Sequence, residues 1–137
     1  MNRHHLDRRE YGGRHYETRT ITELDVLAER ILADLPSLLE PDVVPEGIDF
    51  GIHLVANVLV RLQVGGLKDE FIFADLISHR YSKQAIELIS YLNILMESYN
   101  WVNPDGLTDR RFFCSVYLVT EADYHSAFWT PGVVRLL

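Results

Sequence analysis

The stretch from Ser82 to Thr120 constrains the fold most, because a long helical pattern runs directly into a strand pattern. The segment SKQAIELISYLNILMESYN opens on Ser82, a good N-cap, and then carries apolar residues at helical spacing. The turn signal NPDG follows, in which proline presets φ and glycine accepts positive φ. The run RRFFCSVYLVT then alternates as a strand, with one face formed by Phe112, Cys114, Val116 and Leu118. The chain is therefore predicted to belong to the α+β class.

Three further helices are predicted before this stretch, which makes the expected domain mostly helical. The first covers 20–39, where leucine and isoleucine recur at helical spacing. The second covers 50–64, whose apolar residues lie on several faces, as in a central buried helix, with a strand as the alternative because of its β-branched content. The third covers 67–80. The ending TPGVVRLL is predicted to be a short strand.

Length and cysteine content indicate one soluble domain. A chain of 137 residues can bury a sizeable core without disulfides, and its single cysteine excludes an intramolecular disulfide framework. Residues 1–19 are polar and contain Gly12-Gly13, so we expect a flexible basic tail followed by a single domain over 20–137. The apolar runs are too short to cross a bilayer, and we expect a cytoplasmic protein without membrane contact.

The charge is divided unevenly along the chain. The net charge is −7, yet residues 1–20 carry five arginines against three acidic residues, a net of +2 that leaves −9 for the rest. An acidic body is not attracted as a whole to nucleic acid, because phosphate favours concentrated lysine and arginine.

The predicted order of three helices and a β-hairpin is that of a winged helix-turn-helix domain, here with an extra N-terminal helix and a C-terminal β-hairpin. Locally, SKQAIELISYL resembles the start of the recognition helix in MarR-like winged-helix proteins, and NPDGLTDRRFFCSVYLVTE resembles their wing. The resemblance covers roughly residues 50–123, with the helical triad over 50–64, 67–80 and 82–100 and the wing over 101–120.

This resemblance implies a DNA-binding transcriptional regulator that contacts double-stranded DNA as a homodimer. Ser82, Lys83 and Gln84 would face DNA at the helix start, and Arg110 and Arg111 would contact it from the wing. Arg80 would extend the same positive strip, giving a DNA-binding set of Arg80, Ser82, Lys83, Gln84, Arg110 and Arg111. Glutamine can pair with adenine, and arginine suits guanine edges and phosphate.

A non-enzymatic protein-interaction or adaptor module on the same winged-helix or α+β scaffold is the alternative. It is favoured by the acidic body, by Glu87 on the presumed recognition helix, and by apolar residues beyond the main helical stripe. The residues expected at a subunit or partner interface are Leu24, Leu27, Ile31 and Ile94.

No enzymatic function is predicted, and no catalytic residue, metal site or cofactor is assigned. His53 with Asn57, Cys114 with His125, and the run Asp123-Tyr124-His125 offer ionisable or nucleophilic groups without the convergent arrangement that catalysis needs. Gly65-Gly66 lacks the lysine and the strand–helix context of a phosphate loop.

Overall fold

The computed structural model describes residues 11–12, 23–102, 111–127 and 129–136. In chain order its helices are α1 (Leu24–Leu38), α2 (Asp69–Ile72), α3 (Lys83–Glu97) and α4 (Glu121–Tyr124). Its strands are β1 (Tyr11–Gly12), β2 (Asp49–Val55), β3 (Leu59–Gly65), β4 (Phe73–Asp75), β5 (Arg80–Tyr81), β6 (Trp101–Val102), β7 (Phe113–Leu118) and β8 (Gly132–Leu136). The α+β class is confirmed, but strands contribute nearly as many residues as helices, so the expectation of a mostly helical domain is wrong.

A four-stranded mixed sheet forms the centre, in the order β7-β3-β2-β8. Strands β2 and β3 form an antiparallel hairpin with Asp49 opposite Gly65 and Val55 opposite Leu59. Strand β7 runs parallel to β3, and β8 runs parallel to β2. The two C-terminal strands therefore lie at opposite edges of the sheet and do not pair with each other. The predicted hairpin of the wing over 101–120 is not formed among the described residues, because β6 pairs with β1 and β7 pairs with β3.

The helix predicted over 50–64 is also wrong, because this segment is the β2–β3 hairpin. Its turn holds Ala56 and Asn57 at positive φ, 53° and 57°, and closes with the Val58 N–H donating to the Val55 carbonyl at 3.1 Å. Asparagine tolerates this conformation better than most residues. The β-branched valines and isoleucine then favour the strands on either side.

The segment predicted as a helix over 67–80 contains only the single turn α2 and a small antiparallel hairpin, β4–β5. The positive φ of His79, 57°, is incompatible with a continuing helix. With strands at 50–64 and in the second half of 67–80, the expected triad is not formed, and only its third member is a long helix.

Helices α1 and α3 cover one face of the sheet and enclose the core. The predicted α1 stripe is confirmed, since Leu24, Leu27, Ile31 and Leu35 are buried. Each of these side chains contributes about 1.5–3 kcal/mol through burial. The helix begins at Leu24 after Glu23, which makes no side-chain cap bond, and Pro36 lies in its last turn. An ion pair of 2.9 Å between Asp25 and Arg135 ties α1 to β8.

This burial corrects most of the predicted interface. Leu24, Leu27 and Ile31 are at most 4% exposed and pack inside their own chain, so they are not available to a partner in this fold. Ile94 is 70% exposed.

The prediction of α3 is confirmed, including its cap. The Ser82 hydroxyl accepts the Ala85 N–H at 2.9 Å. The buried row is Ala85, Leu88, Leu92 and Met96, while Ile86 is exposed. On its buried side α3 packs along β7 and α2.

Of the predicted tail, the structure describes Tyr11–Gly12, which pair antiparallel with Trp101–Val102. Strand β6 thus pairs with β1, and residues 103–110 of the predicted wing lie outside the described residues. Across the described ranges, no helix combines the length and apolar content that a bilayer crossing requires.

Candidate protein-interaction surface

The predicted DNA-contacting residues do not form one cluster. Arg80, Lys83 and Gln84 are exposed around the start of α3, and Arg110 lies outside the described residues. Arg111 precedes Phe112, whose carbonyl and N–H are both bonded by Asn100 beyond the far end of α3. A helix of 15 residues is roughly 22 Å long. Arg111 is therefore at the opposite end of α3 from Arg80 and Lys83.

Ser82 has a structural role. It is 6% exposed, its hydroxyl donates to the Phe71 carbonyl, and the same oxygen caps α3. Its N–H also donates to the Ile72 carbonyl at 2.9 Å. Ser82 thus fastens the end of the β4–β5 hairpin to α2 and to α3.

That hairpin, residues 73–81, is termed here the projecting hairpin because it exposes apolar side chains at its tip. Ile77 is 95% exposed and Leu76 is 50% exposed, while Tyr81 at the base is 38% exposed. Single exposed apolar residues are ordinary, whereas contiguous exposed apolar surface marks interaction sites when it is large enough. Arg80 lies beside the pair and makes no ion pair with any described residue.

Side chains of the hairpin bond and stack within the hairpin itself. One Asp75 carboxylate oxygen accepts the N–H groups of Ile77 at 2.9 Å and Ser78 at 3.4 Å, the arrangement of an Asx turn. These backbone bonds lower the pKa of the Asp75 carboxyl. Behind the tip, the Phe73 ring stacks on His79 with centroids 4.9 Å apart. A rigid tip loses little conformational entropy when it binds.

Beside the base of this hairpin lies a groove made of two adjoining pockets of about 520 and 330 Å³, which share Pro45, Phe71 and Gln84. Its apolar lining also includes Val43, Val44, Leu67 and Leu88. Its carboxylates are Asp42, Glu46, Glu70 and Glu87, against one cation, Lys68. We call it the acidic groove.

The projecting hairpin and the acidic groove are complementary in character. The hairpin offers two apolar side chains next to Arg80, with Lys83 at the first position of α3. The groove offers an apolar floor with four carboxylates, none of which pairs with a cation among the described residues. Opposite charges around an apolar contact favour association and fix its orientation.

Of the groups weighed for catalysis, Cys114 and Tyr124 are engaged structurally, whereas His53 and Asp123 line one pocket. Cys114 is half-buried, with its sulfur 3.5 Å from the Glu97 carboxylate. The Tyr124 hydroxyl donates to Asp49 at 3.4 Å, and desolvation together with that carboxylate raises the pKa of Tyr124. Within the described ranges, no three His, Cys, Asp or Glu side chains are grouped to hold a metal ion.

Sequence reasoning missed the hairpin, although FADLISHRYS contains a signal for it. In an Asx turn, an aspartate side chain accepts hydrogen bonds from backbone N–H groups two or three positions later in the chain. Asp75 stands in this position relative to Ile77 and Ser78. Helical spacing of the apolar residues in 67–80 concealed it.

No protein-family model matches the chain, and searches of curated proteins and of solved structures likewise give no match.

Proposed function

We propose that this protein is a non-enzymatic interaction module that pairs with a second copy of itself through the projecting hairpin. The tip of one copy enters the acidic groove of the other, and the reciprocal contact completes a homodimer. The single observation that carries the proposal is the rigid exposure of Leu76 and Ile77 beside Arg80, on a chain that also holds a matching groove.

The placement of the two elements suits a twofold dimer. The hairpin ends at Tyr81, and Gln84 and Glu87 of the groove follow within the first turns of α3. The projecting hairpin and the acidic groove adjoin on the same chain. One twofold axis can therefore bring the hairpin of each copy into the groove of the other, and the assembly closes at two copies.

The expected dimer is weak. Burial of an isoleucine or leucine side chain contributes about 1.5–3 kcal/mol, and four such side chains enter the two contacts. Loss of rotational and translational freedom offsets much of that gain. We therefore expect a dissociation constant on the order of micromolar.

Replacing Ile77 with aspartate is expected to leave the protein monomeric. The substitution replaces an apolar side chain at the hairpin tip with a carboxylate, which the carboxylates of the acidic groove repel. Folding should be unaffected, because Ile77 is 95% exposed and contributes nothing to the core. Sedimentation over a concentration series measures the effect. Val58→Asp is the matched control, since Val58 is also exposed, at 51%, but lies on the β2–β3 turn. A parent that stays monomeric throughout, or equal loss in both variants, would contradict the proposal.

Complementation between two variants sharpens this test. Gln84→Trp places a large side chain in the acidic groove, where Gln84 lines both pockets, and so blocks the groove. Ile77→Asp instead removes the apolar tip of the projecting hairpin. Neither variant should associate alone. In their mixture the Gln84→Trp chain supplies an intact projecting hairpin and the Ile77→Asp chain supplies an intact groove. Chemical shifts at Ile77 of the Gln84→Trp chain should therefore change on mixing.

DNA binding is the second candidate, and the common exposure of Arg80, Lys83 and Gln84 at the start of α3 favours it. A helix N-terminus also favours phosphate. On this candidate, Arg80→Ala with Lys83→Ala weakens duplex binding for all sequences, and Arg110→Ala with Arg111→Ala tests the predicted wing. Affinity should fall steeply as salt rises. The absence of a gel shift at about 50 mM salt would reject this candidate.

A further inference from the structure

The sheet face away from α1 and α3 carries a depression. Strand alternation places Tyr117, Gln63, Gly51 and Gly132 in one row across β7, β3, β2 and β8 on this open face. The two glycines contribute no side chains, which lets another segment of the chain lie close to the sheet beside Gln63.

The connection between β7 and β8 crosses this face and walls the depression. A methyl group on Gly51 would come within 2.8 Å of the Thr130 carbonyl, which shows how closely the crossing chain lies on the sheet. Tyr124 packs over Gly65 in the same way, and its ring meets Trp129 edge-on with centroids 5.1 Å apart. The resulting pocket has a volume of about 230 Å³ and is lined by His53, Gln63, Tyr117, Val119, Asp123 and Trp129.

Gln63 is the unusual residue in this pocket. Three polar residues are buried in the described part of the chain, namely Gln63, Ser82 and Asn100. Ser82 and Asn100 have hydrogen-bond partners, whereas the Gln63 side chain, 7% exposed, bonds to no described residue. Buried polar groups are almost always bonded, because an unmet amide weakens the folded state. A ligand in the pocket would supply the missing partner.

Other side chains that line the pocket also have polar groups free to bond a ligand. The side chains of His53, Tyr117, Asp123 and Trp129 also make no hydrogen bond to a described residue. Desolvation, followed by the charge of Arg61, lowers the pKa of His53, which favours the neutral ring, whose two nitrogens can donate and accept. Tyr117 and Trp129 supply aromatic surfaces, and Asp123 supplies an acceptor.

We propose that this pocket binds a small planar nitrogen heterocycle of the nucleobase class, held by the Gln63 amide. A carboxamide presents a donor and an acceptor side by side, which matches the paired edge of such a ring. Aromatic side chains stack on its faces, and Asp123 accepts from an exocyclic amine. The volume is smaller than that of pockets for drug-sized ligands. This site is independent of the pairing of copies.

The test titrates the full chain with adenosine, guanosine, cytidine and uridine, and with free adenine, by heteronuclear NMR. Saturable shifts at Gln63, Tyr117 and Trp129 are expected for at least one ligand, and free adenine separates ring recognition from ribose recognition. Gln63→Met keeps the size of the side chain but removes the amide. It should weaken binding by about 10- to 100-fold and raise the melting temperature of the unliganded protein, because the unmet amide is gone.

Ser90→Met is the control, since Ser90 is exposed on α3, away from the pocket, and its replacement should alter neither quantity. The proposal is overturned if no ligand gives saturable shifts at about millimolar concentration, if Gln63→Met binds as the parent does, or if Gln63→Met lowers the melting temperature. A lowered melting temperature would mean that the amide stabilises the fold.

Discussion

Replacing Asn100 with alanine is expected to lower the free energy of unfolding by about 3 kcal/mol, or roughly 10 °C in melting temperature. Asn100 is 1% exposed. Its amide donates to the Phe112 carbonyl at 2.8 Å and accepts the Phe112 N–H at 3.2 Å. The truncation leaves two buried backbone groups without this partner, at about 1–3 kcal/mol each.

This pair of hydrogen bonds, termed here the bracket, joins the end of α3 to the start of β7. Its loss should therefore also loosen β7 at the edge of the sheet. Chemical denaturation measures the change in stability, and amide exchange in β7 measures the loosening. Asn93→Ala is the matched control. Asn93 is half-buried on α3, and its one side-chain contact with a described residue is the Cys114 sulfur at 3.7 Å. Comparable losses in the two variants would show that the bracket is unimportant.

Replacing Gly51 with alanine is expected to destabilise the protein by about 2–3 kcal/mol. The added methyl would lie 2.8 Å from the Thr130 carbonyl and 3.7 Å from Pro131 Cα, both of them backbone atoms. A flexible side chain could rotate away, but here the chain leading into β8 must move. Pairing of β8 with β2 should weaken, and the pocket beside Gln63 should widen.

Denaturation and amide exchange at Val133 and Val134 measure this effect. Gly47→Ala is the control, because its added methyl meets nothing within 4 Å and introduces only the strain of a φ of 79°, about 1 kcal/mol. If Gly51→Ala is no worse than Gly47→Ala, the segment at Thr130 is less tightly packed on the sheet than the structure indicates.

The two long helices were predictable because each has one buried face; in α1 the buried residues recur every three to four positions. The C-terminal strands were predictable because each is a short run of β-forming residues that follows a turn signal. The Ser82 cap was predictable from the local sequence as well. Strand pairing was not, since β7 and β8 are short and nothing local indicates which neighbour each one joins.

The β2–β3 hairpin was misread because both of its faces are apolar near the turn. Ile52 and Leu54 face the helices, but Val55 and Leu59 lie on the open face, so the period-two alternation disappears. The open-face row continues through Phe113 and Leu136 in the same register. Apolar residues on both faces resemble a buried helix when judged by composition alone.

The candidate sites could not be predicted from local sequence patterns, for a different reason. The pocket around Gln63 takes side chains from β2, β3, β7 and the crossing connection, which only the strand order brings together. Of its lining, sequence reasoning had singled out His53 and Asp123, separately and for catalysis. The projecting hairpin was the more accessible of the two sites, through the Asx-turn signal at Asp75.

The strand order also has a consequence for synthesis. Gly51 pairs with Gly132, 81 positions later in the chain, and Leu59 pairs with Phe113, 54 positions later. As the polypeptide leaves the ribosome, the β2–β3 hairpin therefore emerges with both edges unpaired and waits for the strands that cover them. Such edges are templates for intermolecular pairing, and closing long segments slows folding. We infer that the nascent chain is most prone to aggregation in the interval before β7 and β8 emerge, and that the last strands protect the first hairpin.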